Sequence, residues 1–129
     1  MEAISLEEFG EILDEITEEL PAEIFVSLNG GINLIPEALP HPEAANGNLY
    51  ILGQYHSGGH LGRYITLYYG SFMHLYSGSS RKYLRKQIDK VLRHEFLHHL
   101  ESLAGEKELE IKDANDLARY KARFLGEKQ

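Results

Sequence analysis

Cysteine is absent from this 129-residue sequence, which excludes a disulfide scaffold, thiolate catalysis and any Cys-ligated zinc finger or cluster. A bound metal must therefore rest on His and carboxylate ligands, and seven His supply the first kind. Long apolar runs are lacking as well. No stretch approaches the ~20 residues that span a bilayer, and the first eight residues, Met1 to Glu8, hold neither the basic nor the apolar region of a secretion signal. The chain is accordingly expected in the cytoplasm, with no membrane partner. A basic excess is also missing: 13 Lys and Arg face 20 Asp and Glu, for a net charge of −7. That balance argues against nucleic acid as a partner, because phosphate-binding surfaces leave a basic footprint. What is present, 43% hydrophobic residues in a chain of this length, suffices for one globular domain over residues 1–129 that buries about two-thirds of its unfolded surface.

Hydrophobic spacing and turn residues divide the chain. Ser5-Leu6-Glu7-Glu8 fits a capping box, and Leu6, Phe9, Ile12, Leu13, Ile16 and Leu20 fall on one helical stripe that Pro21 stops. A first helix is predicted from Leu6 to Leu20, followed by a short one over Ala22 to Leu28. Ile32 to Ile35 reads as a strand closed by Pro36, and the next dozen residues, with Pro40, Pro42 and Asn46-Gly47, read as a loop. Leu49 to Tyr55 and Arg63 to Tyr69 are rich in Tyr, Ile and Leu, and the segment His56 to Gly62 between them has turn composition. They predict a twisted antiparallel hairpin whose second strand Gly70 ends, with one helical turn over Ser71 to Tyr76. A long helix is expected from Arg81 to Ala104, capped by Ser79 or Ser80 and stopped at Gly105, and a final helix from Asp113 to Phe124.

The long helix carries His94-Glu95-Phe96-Leu97-His98, an HExxH pattern. Residues i and i+4 lie one turn apart on one face, so both imidazoles can reach one ion, and Glu95 projects beside them where it can act on a water. At ~100° per residue, His94 stands at 0°, His98 at about 40° and Glu95 at about 100°, on the border of an apolar side made by Leu84, Ile88, Val91, Leu92, Phe96 and Leu103. With this composition an HExxH arises by chance in about 5% of shuffled sequences. Its setting in a capped helix behind a hairpin is what distinguishes it from a chance match.

With these residues in view, the sequence resembles the zincin metallopeptidases, and more closely the minimal bacterial zincin-like metallopeptidases. The matching features are Glu19-Leu20-Pro21 after an acidic helix, Leu52-Gly53-Gln54-Tyr55, Arg63-Tyr64-Ile65-Thr66-Leu67-Tyr68, and His94-Glu95-Phe96-Leu97-His98-His99. The resemblance implies an α+β zincin-like fold, a small twisted antiparallel or mixed sheet packed on the HExxH helix. It implies zinc on His94 and His98, Glu95 as general base, and a peptide or protein substrate. One departure stands out: related sites continue as HExxHxxGxxH or D, whereas Glu101 and Ala104 occupy those positions here. The third ligand stays open. Asp113, beyond a reversal at Gly105, is placed first, with an ordinary N-cap as its alternative role. Glu101 shares the face at about −20° but lies ~10 Å along the axis from His94, so orienting His98 competes with ligation. Glu108 comes third.

The other candidates have plainer readings. Arg63 to Tyr69 is taken as an edge strand along which peptide would lie extended. Tyr64, Tyr68 or Tyr69 could donate to an oxyanion, although packing is the commoner role for such residues. His99, at about 140°, is expected to be a buried, hydrogen-bonded group. His56 and His60 flank a turn that does not hold i, i+4 geometry, and His41 and His74 have no partner nearby in sequence. Arg81, Lys82, Arg85, Lys86, Lys90 and Arg93 are read as a solvated helix face. Pro36 to Asn46 and His56 to Gly62 are candidate lids. Two rival readings remain: a zincin fold that binds zinc or peptide without turnover, and a structural protein with an accidental HExxH.

Overall fold

The computed structural model describes residues 4–42 and 49–105. It is an α+β arrangement of three α-helices, a three-stranded mixed sheet and a two-stranded ribbon. Helix α1 (Leu6–Glu19) starts as its capping box dictates: the Ser5 hydroxyl accepts from the Glu8 amide at 3.1 Å and the Glu8 carboxylate reaches back to Ser5. Its stripe of Phe9, Ile12, Leu13 and Ile16 is buried against the long helix α3 (Arg81–Gly105). After Pro21, a single 3-10 turn (Ala22–Phe25) replaces the longer helix predicted there. The Ser80 hydroxyl accepts from the Tyr83 amide at 3.1 Å, which identifies Ser80 as the cap of α3.

The sheet is ordered β1 (Gly31–Ile35), β5 (Gly62–Tyr68), β4 (Gly53–Gly59). Strand β1 runs parallel to β5, with Ile32 opposite Ile65, and β4 runs antiparallel to it, with Tyr55 opposite Ile65. This corrects the edge-strand expectation. Strand β5 is the centre of the sheet, its backbone groups paired with both neighbours, and β4 is the edge strand of the hairpin. The segment His56 to Gly62 is not a long turn either. Pairing continues past a bulge to Gly59 opposite Gly62, and His60-Leu61 makes the reversal, with Gly58 and Gly62 at φ 91° and 73°.

Two further differences follow from pairing between residues distant in sequence. The expected loop after Pro36 contains β2 (Leu39–Pro40), which pairs with β3 (Tyr50–Ile51) and is tied to helix α2 (Tyr69–Tyr76) where the Leu39 amide donates to the Ser71 hydroxyl at 2.9 Å. Gly70 does not merely end β5. It lies in α2, its amide donating to the Pro36 carbonyl, and a side chain there would collide with the backbone of Glu37 and Ala38. Phe9, Ile65, Leu67, Phe72, Leu92 and Phe96 meet in one core under the sheet. No described helix is long and apolar enough to cross a membrane. The predicted helix from Asp113 to Phe124 lies outside the described residues.

Candidate metal centre

Helical spacing alone brings His94 and His98 together. Their rings stand at 87° to one another with centroids 4.6 Å apart, and the two Nε2 atoms are separated by 3.1 Å. Two nitrogens bound to one tetrahedral zinc at ~2.0–2.1 Å would be about 3.3 Å apart, so this pair is close to a two-ligand arrangement without rearrangement. Glu101 sits on the other side of His98, its Oε1 3.8 Å from Nδ1. A carboxylate there orients the imidazole through the nitrogen that points away from His94. Among the described residues no group of three His, Asp or Glu side chains could hold a metal ion. The two other proposed ligands, Asp113 and Glu108, lie outside the described residues.

Glu95 differs from the exposed His94 and His98 in being buried, with 6% exposure. Burial holds its carboxyl above the ordinary carboxylate range, opposed in part by His98. His94 is pushed the other way, its pKa lowered by burial and then by His98, against a smaller raising effect of Glu101. A neutral imidazole is the form that binds a metal ion.

One residue further along, His99 is fully buried, as its angle on the helix predicts. Its Nε2 lies 2.7 Å from the Val26 carbonyl and its Nδ1 2.8 Å from the Tyr55 hydroxyl. A carbonyl can only accept, so in the neutral ring Nε2–H donates to Val26 and Nδ1 accepts from Tyr55. His99 thereby ties α3 to β4 and to the segment after the 3-10 turn.

His94 and Glu95 lie at one end of a cleft of about 600 Å³ between α3 and the β2–β3 ribbon. The helix contributes Gln87, Lys90, Val91, His94 and Glu95, at i, i+3, i+4, i+7 and i+8, with Arg93 and Leu97 beside them. The opposite wall is formed by His41, Tyr50, Ile51, Leu52 and Gly53, and Tyr76 joins the lining from α2. Gly53, the first residue of β4, is required where that strand passes over the helix, since a Cβ there would lie 2.9 Å from Leu67 and 3.0 Å from Val91. His41, isolated in the sequence, is thus brought to the same cleft as His94 by a pairing that only the β2–β3 ribbon creates. Its backbone amide donates to the Leu49 carbonyl at 2.8 Å.

The expected oxyanion donors are not assembled at this cleft. Tyr64 stacks on His56 at 4.4 Å, the Tyr68 hydroxyl donates to Gln54 at 2.8 Å, and the Tyr69 hydroxyl donates to the Ile4 carbonyl. The reason is strand alternation. Gly53 and Tyr55 of β4 face α3, so Gln54 and His56, with the cross-strand partners Tyr64 and Tyr68, occupy the opposite face of the sheet. His56 and His94 therefore belong to different sides of the sheet. The basic run is only partly a solvated face: Arg85 bridges to Glu15 and Glu19 of α1, Arg81 to Glu15, and Arg93 to Asp89.

No family model matches this chain, and no curated protein matches it. Among solved structures, a conserved hypothetical protein from Thermus thermophilus aligns with a TM-score of 0.70 and 33% identity, covering 79% of this chain and 99% of that one. The chain belongs to the family of that protein. Membership extends the α+β fold to a thermophile's chain.

Proposed function

We propose that this protein is a small zinc-dependent metallopeptidase with a zincin-like fold, hydrolysing peptide bonds in a peptide or protein substrate. The observation that carries the reading is the approach of the His94 and His98 Nε2 atoms to 3.1 Å beside the buried Glu95, at the end of a cleft. His94 and His98 would hold the metal, with a third ligand from beyond Gly105, Asp113 being preferred over Glu108. Glu101 is assigned to orienting His98. Zinc would supply Lewis acidity and water of lowered pKa. Glu95 is the general base: its carboxylate takes the proton of the attacking water and passes it to the leaving amine. Burial suits it to this exchange, because a carboxyl with a raised pKa is a stronger base once ionised. His99 and Tyr55 hold the helix that carries these groups against β4.

Metal content of untagged protein purified without chelator tests the assignment, compared with a His94→Ala, His98→Ala double variant. About one zinc per chain is expected, and its loss in the variant. Glu95→Gln should keep the zinc and lower peptide hydrolysis by about 10²-fold or more. Zinc retained with no turnover by the native chain would leave a binding module, and absence of zinc binding would leave the HExxH as an accident of sequence.

A further inference from the structure

The cleft beside His94 combines two kinds of surface that a generic peptide groove does not need. Its lining is largely apolar, from Ile51, Leu52, Val91 and Leu97 with the aromatic ring of Tyr50, which is stacked on His74 at 4.4 Å and so held in place. A volume of about 600 Å³ lies in the range of small-ligand sites and accepts a bulky side chain with room to spare. The charges around it run against those of the molecule. On a chain of net charge −7, the lining contains Lys90 and Arg93 against one carboxylate, Glu95. The Arg93 guanidinium is engaged by Asp89 through two contacts of 3.0 and 3.1 Å. Exposed Lys90 has no ion-pair partner among the described residues and is left as the cation of the cleft.

We infer that this cleft selects peptides presenting a bulky apolar side chain next to a carboxylate, the side chain seated against Ile51, Leu52 and Val91 and the carboxylate against Lys90. The inference takes a peptide as ligand from the metallopeptidase reading and adds what distinguishes one peptide from another. An apolar pocket alone discriminates weakly between side chains of similar size, whereas a cation in its lining favours ligands that bring a carboxylate to it. The carboxylate has two sources, a chain terminus or an Asp or Glu side chain, with the same chemistry toward Lys90.

Binding to the full chain freed of metal by chelator separates this inference from the metallopeptidase reading, because it requires neither zinc nor turnover. The probes are acetyl-Ala-Ala-Phe as free acid and as amide, acetyl-Ala-Ala-Ala as free acid, and acetyl-Ala-Phe-Asp amide, measured by calorimetry at low salt. The Phe acid is expected to bind at least about tenfold tighter than both its amide and the Ala acid. In Lys90→Glu the preference for acid over amide should vanish while the amide binds as before. Tight binding of the Asp amide would identify the side-chain carboxylate as the source, and weak binding the terminal one. Equal affinity for the Phe and Ala acids, or an acid preference that survives Lys90→Glu, would overturn the inference even if the chain proves to bind zinc and cleave peptides. Conversely, a zinc-free chain that shows the preference would retain the inferred cleft and lose the peptidase.

Discussion

Helix α3 has two sides that solve the problem of polar groups in opposite ways. Toward the core it presents Leu84, Ile88, Leu92, Phe96 and Leu103, together with one polar side chain, His99, whose two nitrogens both meet partners. On another side His94 and Glu95 line the cleft, and His94 faces the exposed His98, whose second nitrogen points toward Glu101. The first side is arranged for stability, since buried groups are packed or hydrogen bonded. The second leaves a carboxyl above its ordinary pKa and two imidazoles edge to edge. Such an arrangement costs free energy locally, and perturbed ionisable groups of this kind cluster at functional sites, which is what makes this side of the helix the candidate.

Substitutions on the core side should therefore lower stability and leave the proposed metal binding in place, and the largest effect is expected at Phe96. Its ring is fully buried and packs edge-on against Phe25 at 5.0 Å. Phe96→Ala should destabilise the protein by about 3–5 kcal/mol in urea unfolding. Zinc bound per folded chain should be unchanged. If that ratio fell instead, the two sides of the helix would be energetically one unit and the comparison would fail.

A smaller loss on the same side is expected from His99→Leu, which preserves bulk but removes the donor to the Val26 carbonyl and the acceptor of the Tyr55 hydroxyl. Losing a buried hydrogen-bond partner costs about 1–3 kcal/mol, so a net loss near 2 kcal/mol is expected, with Tyr55→Phe in the same background recovering part of it. A double-mutant cycle by urea unfolding checks this. Strict additivity would mean that the Tyr55 to His99 hydrogen bond does not couple β4 to α3.

These contrasts also show where sequence reasoning reaches. The capping box of α1, the Ser80 start of α3, the HExxH face and the burial of His99 all depend on residues within a turn or two of each other, and angular position on a helix settles them. The place of β5 in the sheet depends on β1, some thirty residues earlier, finding it in parallel register, and nothing local announces that. The same holds for His41, which reaches the cleft because Leu39-Pro40 pairs with Tyr50-Ile51, a two-residue ribbon hidden by a proline that reads as loop. Strand alternation was legible in principle. Once Tyr55 is known to face the helix, Tyr64 and Tyr68 must face away, and only knowledge of which side the helix occupies was missing.

The smallest effect is the one whose sign separates the two sides. Burial raises the Glu95 carboxyl pKa above that of the unfolded chain, so between the two values the native state binds more protons than the unfolded state. Stability attributable to this group must then fall as pH rises through that window and stay low above it. Replacing Glu95 by Gln removes the ionisation while keeping the shape. The metal-free variant should consequently melt above the metal-free native protein at pH 7, and the advantage should shrink toward zero as pH falls below the ordinary carboxyl range. Thermal melts of the two proteins from pH 7 to pH 4, with chelator throughout, measure the difference directly. A variant that is less stable than the native chain at pH 7 would mean that the carboxylate is held by compensating donors, and Glu95 would then belong with His99 among the groups that hold the fold rather than with the histidines of the cleft.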